Sequence, residues 1–381
     1  MMSSNKKKII FLTATRADYG KIKSVVNLIA KKNKVYIYVT GMHMLSKYGS
    51  TYKQVINENK NLTEIILFKN QNNNYNPNEC AAKTIINFSI HLKRIKPNLV
   101  LVHGDRIESL AAAIACSNLN ILVGHIEGGE VSGNIDEHLR HAISKLSHIH
   151  FVSNTNAKRN LIQLGEKKGS IFVTGNPDID IMNSKNLPTV LQVKNKYSIS
   201  FKNYCIAIFH PEISKNLADF KNKVNIFINV IKKISFSVVL IYPNNDVYSD
   251  YIISAYKKNF LNNSKIKIVK SMRFEFFLTL LKNSSFIIGN SSSAIHEAPF
   301  YGVPSINIGE RQKNRFFNAS IKNVIFDTKK ILKAIELLKN RKFSVNKNFG
   351  KGLSSKIISN IINRNLIWKM NFQKQFIQRD P

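Results

Sequence analysis

The runs LVHGDR at residues 101–106 and HIEGGE at residues 125–130 decide the fold of this chain and the place of its site. An apolar stretch of strand length ends at the first run, and a second apolar stretch, 121–123, ends at the second. In an α/β sheet of parallel strands, ligands bind outside the carboxyl ends of the strands, so residues that follow neighbouring strands share one crevice. We therefore predict that Asp105 and Glu127 face a common site.

Strands and helices alternate about six times over residues 1–182. The runs at 8–14 and 34–40 are rich in β-branched and aromatic residues, as in parallel strands that are covered on both faces. We predict further strands before Gly104 and at 121–125, 149–152 and 171–174, and helices at 22–30, 77–94, 109–116 and 136–146. This alternation is typical of a doubly wound sheet.

A second alternation begins at residue 204, after a polar and irregular stretch, 183–203, which we interpret as a linker. Its predicted strands are 204–209, 237–241, 265–269, 286–288 and 305–308, and each ends in polar residues. The last helical segment, 353–381, is expected to pack back on the first domain. We therefore predict an α/β fold with two Rossmann-like doubly wound domains, 1–182 and 204–352, which face each other across a cleft in the GT-B type of arrangement.

Length and composition agree with a two-domain globular enzyme or binding protein. The chain has 381 residues, of which 44% are hydrophobic, and a single core stops growing at roughly 250–300 residues. No apolar run approaches the ~20 residues that span a bilayer, and the start of the chain does not resemble a signal peptide, so we expect a cytoplasmic protein. The three cysteines have no CxxC spacing and predict neither a disulfide framework nor a zinc cluster.

The net charge of +34 raises the possibility of a nucleic-acid-binding protein. However, the lysines are scattered among asparagines along the whole chain, and the sequence contains no RNP-type aromatic motif, basic-region helix or zinc finger. We favour a solvated basic surface that also attracts anionic metabolites, and we expect neither a nucleic acid nor a membrane as a partner.

Two turns offer positive charge and hydroxyl groups to an anion. TRADYGK at residues 15–21 follows a predicted strand and opens a helix, whose free N–H groups and two cations suit a phosphate, although it matches neither GxGxxG nor GxxxxGK. The second turn is the serine run at 291–293. We interpret both as pyrophosphate ligands in place of a metal, with ordinary solvated surface as the alternative. The residues concerned are Arg16, Lys21, Ser291, Ser292, Ser293, Arg311 and Arg315.

Three carboxylates, Asp105, Glu127 and Asp136, are candidates for acid and base catalysis. Carboxylates in one crevice cannot all stay ionised easily, so their pKa values separate and one can act as a base while another acts as an acid. The structural alternatives are a turn cap for Asp105, a salt bridge for Glu127 and a helix N-cap for Asp136. Nearby histidines lack the spacings of HExxH or of a facial metal site, so we predict no metal.

From about residue 9 to residue 315, the chain resembles the hydrolysing UDP-N-acetylglucosamine 2-epimerases of bacterial sialic acid synthesis. The resemblance rests on motifs that occur in order, among them TRADYGK, VHGDRIESLAAA, HIEGGEVSGNIDEHLRHAISKLSHIHFVS, TGNPDID and GNSSSAIHEAPFYGVPSINIGERQKNR. The TRADYG turn is closer to the hydrolysing branch than to the non-hydrolysing epimerases, which usually have TRPE there.

The resemblance implies a metal-free, cofactor-free reaction in two stages and a homodimeric enzyme. Removal of the C2 proton and anti elimination of UDP give 2-acetamidoglucal, and water then adds to give N-acetylmannosamine. Asp105, Glu127 and Asp136 would take the acid and base roles, and His210 in FHPE, similar to a diphosphate contact, joins the catalytic candidates. The implied substrate contacts are Arg16, Lys21, Arg273, Phe274, Phe276, Ser291, Ser292, Glu297, Arg311 and Arg315.

Within this resemblance, the two phenylalanines lie in the stretch that covers uracil, and Glu297 would bind the ribose. The chain departs from the family at His296, where related enzymes often have arginine, which changes the charge near the diphosphate. Two alternatives stay open. One is the same reaction on UDP-2,4-diacetamido-2,4,6-trideoxyglucose, on the route to legionaminic acid, and the other is a GT-B glycosyltransferase. Which carboxylate removes the C2 proton is also open.

Overall fold

The computed structural model describes residues 6–72, 75–212, 216–339, 341–364, 367–375 and 377, which divide into two compact units. The first unit contains the described residues of Met1–Val131, Ile135–Ser184 and Asn348–Pro381, and the second contains those of Ser132–Asn134 and Lys185–Lys347. The expectation of an irregular linker at 183–203 is wrong for most of that stretch, because residues from Lys185 onward belong to the second unit and include a helix, Val190–Tyr197.

The first unit has a seven-stranded parallel sheet of order β3-β2-β1-β4-β5-β6-β7. Its strands are β1 (Lys8–Thr13), β2 (Lys34–Val39), β3 (Glu64–Leu67), β4 (Leu99–His103), β5 (Val123–Ile126), β6 (Ile149–Val152) and β7 (Ile171–Val173). Its helices before residue 185 are α1 (Arg16–Ala30), α2 (Tyr52–Glu58), α3 (Pro77–Ile95), α4 (Ile107–Asn118), α5 (Ile135–Leu146), α6 (Thr155–Gln163) and α7 (Pro177–Met182).

The second unit has a six-stranded parallel sheet of order β10-β9-β8-β11-β12-β13. Its strands are β8 (Tyr204–Ile208), β9 (Ser237–Ile241), β10 (Ile266–Val269), β11 (Ile287–Gly289), β12 (Ser305–Ile308) and β13 (Ile321–Val324). Its helices are α8 (Val190–Tyr197), α9 (Leu217–Lys233), α10 (Ser249–Phe260), α11 (Phe274–Lys282), α12 (Glu297–Phe300) and α13 (Thr328–Leu338).

The chain returns to the first unit at its end through α14 (Ser354–Ile362). The backbone N–H groups of Ser354 and Ser355 donate to the carboxylate of Asp180 in α7, at 2.9 and 2.7 Å. Ile358 and Ile362 are buried in the same hydrophobic cluster as the inner face of α1. An anionic side chain at the start of a helix satisfies its free N–H groups, so Asp180 fixes where α14 begins.

The central strands follow from continuous apolar runs, whereas two of the four edge strands, β3 and β13, do not. All the residues of β4 are buried, as are five of the six residues of β1. Neither β3 nor β13 was predicted; both lie at sheet edges and read EIIL and IKNV with partly exposed side chains. An edge strand faces solvent along part of its surface and can carry polar residues, so its apolar signal is weak.

The order of each sheet reverses at one point, between β1 and β4 in the first unit and between β8 and β11 in the second. In open α/β sheets, the crevice outside the carboxyl ends of the strands at such a switch point is where ligands bind. The TRADYG turn follows β1 and Asp105 follows β4, while His210 follows β8 and the serine turn follows β11. The prediction of two Rossmann-like doubly wound domains is confirmed.

Candidate functional site

A buried arginine, Arg140, organises the acidic residues at the carboxyl edge of the first sheet. Its side chain is 2% exposed and donates from one terminal nitrogen to Asp105 Oδ2 and from the other to the carbonyl of Glu130, at 3.0 Å. Burial acts to lower the pKa of Arg140, but the negative charges of Asp105, Glu130 and Asp136 outweigh it and raise that pKa. The guanidinium therefore stays charged and fixes the carboxylate of Asp105.

Glu127 forms a second pair, with His103. Their side chains approach to 3.2 Å between Nε2 and Oε1, and both are about nine-tenths buried. Burial acts to lower the pKa of His103, but the charge and hydrogen bond of Glu127 outweigh it, so this pKa lies above its ordinary value. Glu127 also has a left-handed backbone, with φ of 65°, which costs on the order of 1–3 kcal/mol in a non-glycine residue and is common at functional sites.

His125 supports the turn that carries Asp105. Its Nε2 lies 2.7 Å from the carbonyl of Gly104, which can only accept, and its Nδ1 lies 2.9 Å from the hydroxyl of Ser144. Burial lowers the pKa of His125 to about 3, so the ring is neutral and carries its proton on Nε2. Gly128 makes room for this contact, because a Cβ there would lie 2.7 Å from both Nδ1 and the Ser144 hydroxyl.

The TRADYG turn is built by hydrogen bonds within itself. Thr15 caps α1, and Asp18 accepts from the backbone N–H groups of Ala14 and Thr15 at 2.9 and 3.0 Å. The buried His43 lies against the turn, 3.1 Å from the hydroxyl of Thr13. This turn places Arg16 at the first position of α1, at the switch point of the sheet.

Lys21 pairs with a buried carboxylate, and Asp136 is not a helix N-cap. The ammonium of Lys21 lies 3.1 Å from the carboxylate of Asp178, which is fully buried, so this lysine neutralises a buried charge in addition to any ligand it binds. Asp136 is the second residue of α5, since the helix begins at Ile135, so the N-cap alternative for Asp136 is wrong. A carboxylate in the first turn still benefits from the helix dipole.

Asn290 holds together the corresponding edge of the second sheet. Its side chain accepts from the N–H of His210 at 2.7 Å and donates to the carbonyl of the same residue at 3.0 Å. The ring of His210 accepts at Nδ1 from the N–H of Asn244, at 3.0 Å. A neutral His210 therefore carries its proton on Nε2 and can offer it to an anion.

The serine turn is packed against β8 and held by the chain after β12. A Cβ on Gly289 would lie 1.8 Å from the carbonyl of Ile208, so only glycine fits at the end of β11. Arg311 and Gln312 both donate to the carbonyl of Asn290, at 3.3 and 2.9 Å, and Ser291 accepts from the N–H of Ser293.

The residues after the serine turn include His296, the position at which related enzymes often have arginine. Arg315 lies 3.5 Å from Nε2 of His296, and since arginine can only donate, His296 accepts there. Glu297, predicted to bind the ribose, is buried at the start of α12. Ser292 is half-buried at the same edge.

Of the two phenylalanines predicted to cover uracil, Phe276 presents a partly exposed ring and Phe274 is buried. The guanidinium of Arg273 lies 5.3 Å from the centre of the Phe276 ring, and Tyr197 meets this ring edge-on at 5.9 Å. Stacked aromatic and guanidinium planes are suited to a nucleobase.

The sequence did not reveal Arg140, Asn290, the pairing of His103 with Glu127 or the pairing of Lys21 with Asp178. Arg140 could have been considered from the sequence, because it lies one helical turn after the candidate Asp136 in the same motif. Among the residues that the structure describes, no group of three or more His, Cys, Asp or Glu side chains is arranged to hold a metal ion. Nor does this part of the chain contain a helix long and apolar enough to cross a membrane.

A model of the family described as UDP-N-acetylglucosamine 2-epimerase matches residues 27–363. The chain belongs to this family. It is 39% identical over 377 residues to the UDP-N-acetylglucosamine 2-epimerase of Neisseria meningitidis serogroup B, covering 97% of this chain and 99% of that protein. It is 32% identical to the UDP-N,N'-diacetylbacillosamine 2-epimerase (hydrolyzing) of Legionella pneumophila, covering 92% of this chain and 93% of that one.

The fold is shared with solved structures. The UDP-GlcNAc 2-epimerase of Methanocaldococcus jannaschii, solved in complex with UDP-GlcNAc and UDP, has a TM-score of 0.78 to this chain at 23% identity. The match covers 93% of this chain and 99% of that one. The family resemblance and the two-domain α/β fold inferred from the motifs are thus confirmed.

Proposed function

We propose that this protein is a hydrolysing 2-epimerase that converts UDP-N-acetylglucosamine and water to N-acetylmannosamine and UDP, the first step of sialic acid synthesis. The observation that carries the proposal is the pair of strand-end carboxylates with different partners, Asp105 with Arg140 and Glu127 with His103. Elimination of UDP requires a positioned base that removes the weakly acidic proton at C2, and the later addition of water requires a proton donor.

The two pairs differ in what they can do with a proton. The guanidinium of Arg140 does not give up its proton, so it holds Asp105 as a fixed carboxylate. His103 can gain and lose a proton, so the His103–Glu127 pair can pass one to or from a substrate in successive steps. We propose that Asp105, Glu127 and Asp136 together remove the C2 proton and direct the incoming water.

In the first stage, a carboxylate takes the C2 proton, the C–H electron pair forms the C1–C2 double bond, and the C1–O bond breaks with its electrons on the β-phosphate. In the second stage, water adds at C1 and a proton returns to C2 from the opposite face. The products are N-acetylmannosamine and UDP, so atoms and charge balance without a redox cofactor.

We propose that cations, hydroxyls and a histidine N–H stabilise the diphosphate as it leaves. The groups that suit this task are the hydroxyls of the serine turn, the Nε2 proton of His210 and the cations Arg16, Lys21, Arg311 and Arg315. Charge-assisted hydrogen bonds of this kind stabilise phosphate oxygens strongly. We propose that Phe276 and Arg273 contact uracil and that Glu297 contacts the ribose. We also propose that no metal takes part in the reaction and that the protein acts as a homodimer.

Product analysis with the purified protein tests the proposal. UDP-N-acetylglucosamine alone in buffer should yield free N-acetylmannosamine and UDP in equal amounts by chromatography and mass spectrometry. Accumulation of UDP-N-acetylmannosamine without free sugar would instead identify a non-hydrolysing epimerase. Turnover only with an added acceptor would identify a glycosyltransferase.

A second substrate, UDP-2,4-diacetamido-2,4,6-trideoxyglucose, is a candidate because a relative at 32% identity is described as a hydrolyzing 2-epimerase of UDP-N,N'-diacetylbacillosamine. The two sugars differ at C4 and C6, far from the C1 and C2 chemistry. Comparing kcat/KM for both nucleotide sugars decides between them, and turnover of the diacetamido sugar alone would replace the first substrate by the second.

A further inference from the structure

The tail of the chain is attached to the amino-end edge of the first sheet, opposite the edge that holds Asp105 and Glu127. Gln373 donates to the side chain of Asn120, just before β5, at 2.7 Å. His148, just before β6, accepts at Nδ1 from the N–H of Val123 and therefore donates from Nε2 to the carbonyl of Phe372, at 3.0 Å. These contacts place the next residue, Lys374, under the end of α5.

The ammonium of Lys374 caps the carboxyl terminus of α5. It lies 2.6 Å from the carbonyl of Ser147, 2.7 Å from that of Lys145 and 3.4 Å from that of Ser144. The last carbonyls of a helix have no partner within the helix, and a cation there is also favoured by the helix dipole. Lys374 supplies both effects from more than 220 residues away along the chain.

The same ammonium neutralises a buried carboxylate. Glu166 is 3% exposed, and its Oε2 lies 2.6 Å from Lys374 and 2.9 Å from Nε2 of His150. Lys145 approaches its other oxygen at 3.3 Å. Burial acts to raise the pKa of Glu166, but the hydrogen bonds and charges of His150 and Lys374 outweigh it and hold that pKa at about 2. Glu166 is therefore ionised and ties Lys374 firmly in place.

A continuous set of contacts leads from Lys374 to the catalytic edge. The hydroxyl of Ser144 donates to His125, which donates to the carbonyl of Gly104, the residue before Asp105. Ser144 also lies one turn, or roughly 6 Å along the helix axis, after Arg140, the partner of Asp105. A helix held at its far end keeps both of these contacts aligned.

We propose that Lys374 is a positioning residue of the reaction, which fixes α5 from its carboxyl end so that Arg140 and the His125–Gly104 contact hold Asp105 in its catalytic position. The inference rests on the proposed function, since it assigns a role toward the same catalytic carboxylate. It adds a residue in the C-terminal tail, outside every motif that carries the family resemblance.

The test compares Lys374→Met with Lys374→Arg and with Lys369→Met, a matched control at an exposed lysine of the same tail. Lys374→Met should lower kcat for UDP release about 10-fold, since small displacements of catalytic groups cost that much or more. KM and UDP affinity should stay within about 2-fold, because neither Lys374 nor Asp105 is among the proposed nucleotide contacts. Lys374→Arg should recover most of the loss, and Lys369→Met should behave as wild type.

Two further measurements separate a positioning role of Lys374 from a general loss of stability. If Lys374→Met alone is unstable because the buried Glu166 loses one of its cations, the double variant Lys374→Met with Glu166→Gln removes the negative charge and should still show the kcat loss. Amide hydrogen exchange in α5 should be faster in Lys374→Met and unchanged in Lys369→Met. A folded Lys374→Met variant with wild-type kcat, or with wild-type exchange in α5, would overturn the inference. Failure of the proposed function would look different, as a wild-type protein that releases no UDP.

Discussion

The carboxyl edges of the two sheets have the same topology and opposite chemistry. In the first unit, the residues after β4 and β5 are carboxylates, each tied to a charged or chargeable partner. In the second unit, His210 after β8 and Arg311 and Gln312 after β12 are hydrogen-bonded to Asn290, which precedes the serine turn. On the proposed function, the carboxylates after β4 and β5 transfer protons and the residues after β8, β11 and β12 bind the anion, because the residues beyond the strands, not the fold, decide the chemistry.

The largest expected effect comes from the carboxylate edge. Asp105→Asn and Glu127→Gln should each lower kcat by about 10²–10⁴-fold, the usual loss on removal of a general acid or base. UDP affinity, measured by calorimetry, should be almost unchanged, because neither carboxylate is among the proposed diphosphate contacts. If these near-isosteric variants lost UDP binding as well as catalysis, the two carboxylates would also be needed for UDP binding, which contradicts a role in proton transfer alone.

The anion-binding edge should respond in the opposite way. Arg311→Met should weaken UDP binding about 10-fold or more, since a hydrogen bond to a charged group contributes roughly 1.5–3 kcal/mol. Lys313→Met is the matched control, because its side chain is exposed on the same loop and pairs only with the exposed Glu310 among the ion pairs of the described residues. Equal UDP affinities for wild type and Arg311→Met would remove Arg311 from the diphosphate contacts.

A smaller effect is expected in the pH dependence of stability. The pKa of His103 is raised in the folded protein by Glu127, so the stabilisation from this pair is complete below the unfolded value of about 6.5 and is lost as the pH rises through the folded value. Denaturant titrations of wild type and His103→Gln between pH 6 and 9 should show a difference in unfolding free energy that shrinks with increasing pH. A difference that grows with pH would contradict an imidazolium–carboxylate pair.

The same comparison shows what the sequence could predict. Strand-end positions such as Asp105, Glu127 and His210 could be found, because central parallel strands are continuous apolar runs and the residues after them share an edge. The cap of α1 at Thr15 and Asp18 could also be expected, since capping is local in the sequence.

Pairings between distant residues could not be predicted in this way. Lys21 and Asp178 are 157 positions apart, and Lys374 and Glu166 are 208 positions apart. Periodicity and local motifs place each residue on its element, but which side chains meet depends on how the elements pack. Arg140 was missed for a related reason, because a charged residue on an amphipathic helix is usually solvated, whereas here it is buried among carboxylates.

Product analysis in labelled water tests whether the protein eliminates UDP and then adds water. UDP-N-acetylglucosamine is incubated with the protein in D₂O that contains H₂¹⁸O. Elimination followed by addition of water should give free N-acetylmannosamine with deuterium at C2 and ¹⁸O at C1. Mass spectrometry and NMR detect the two labels. Release of a free sugar without deuterium at C2, or recovery of the sugar still attached to UDP, would exclude this reaction.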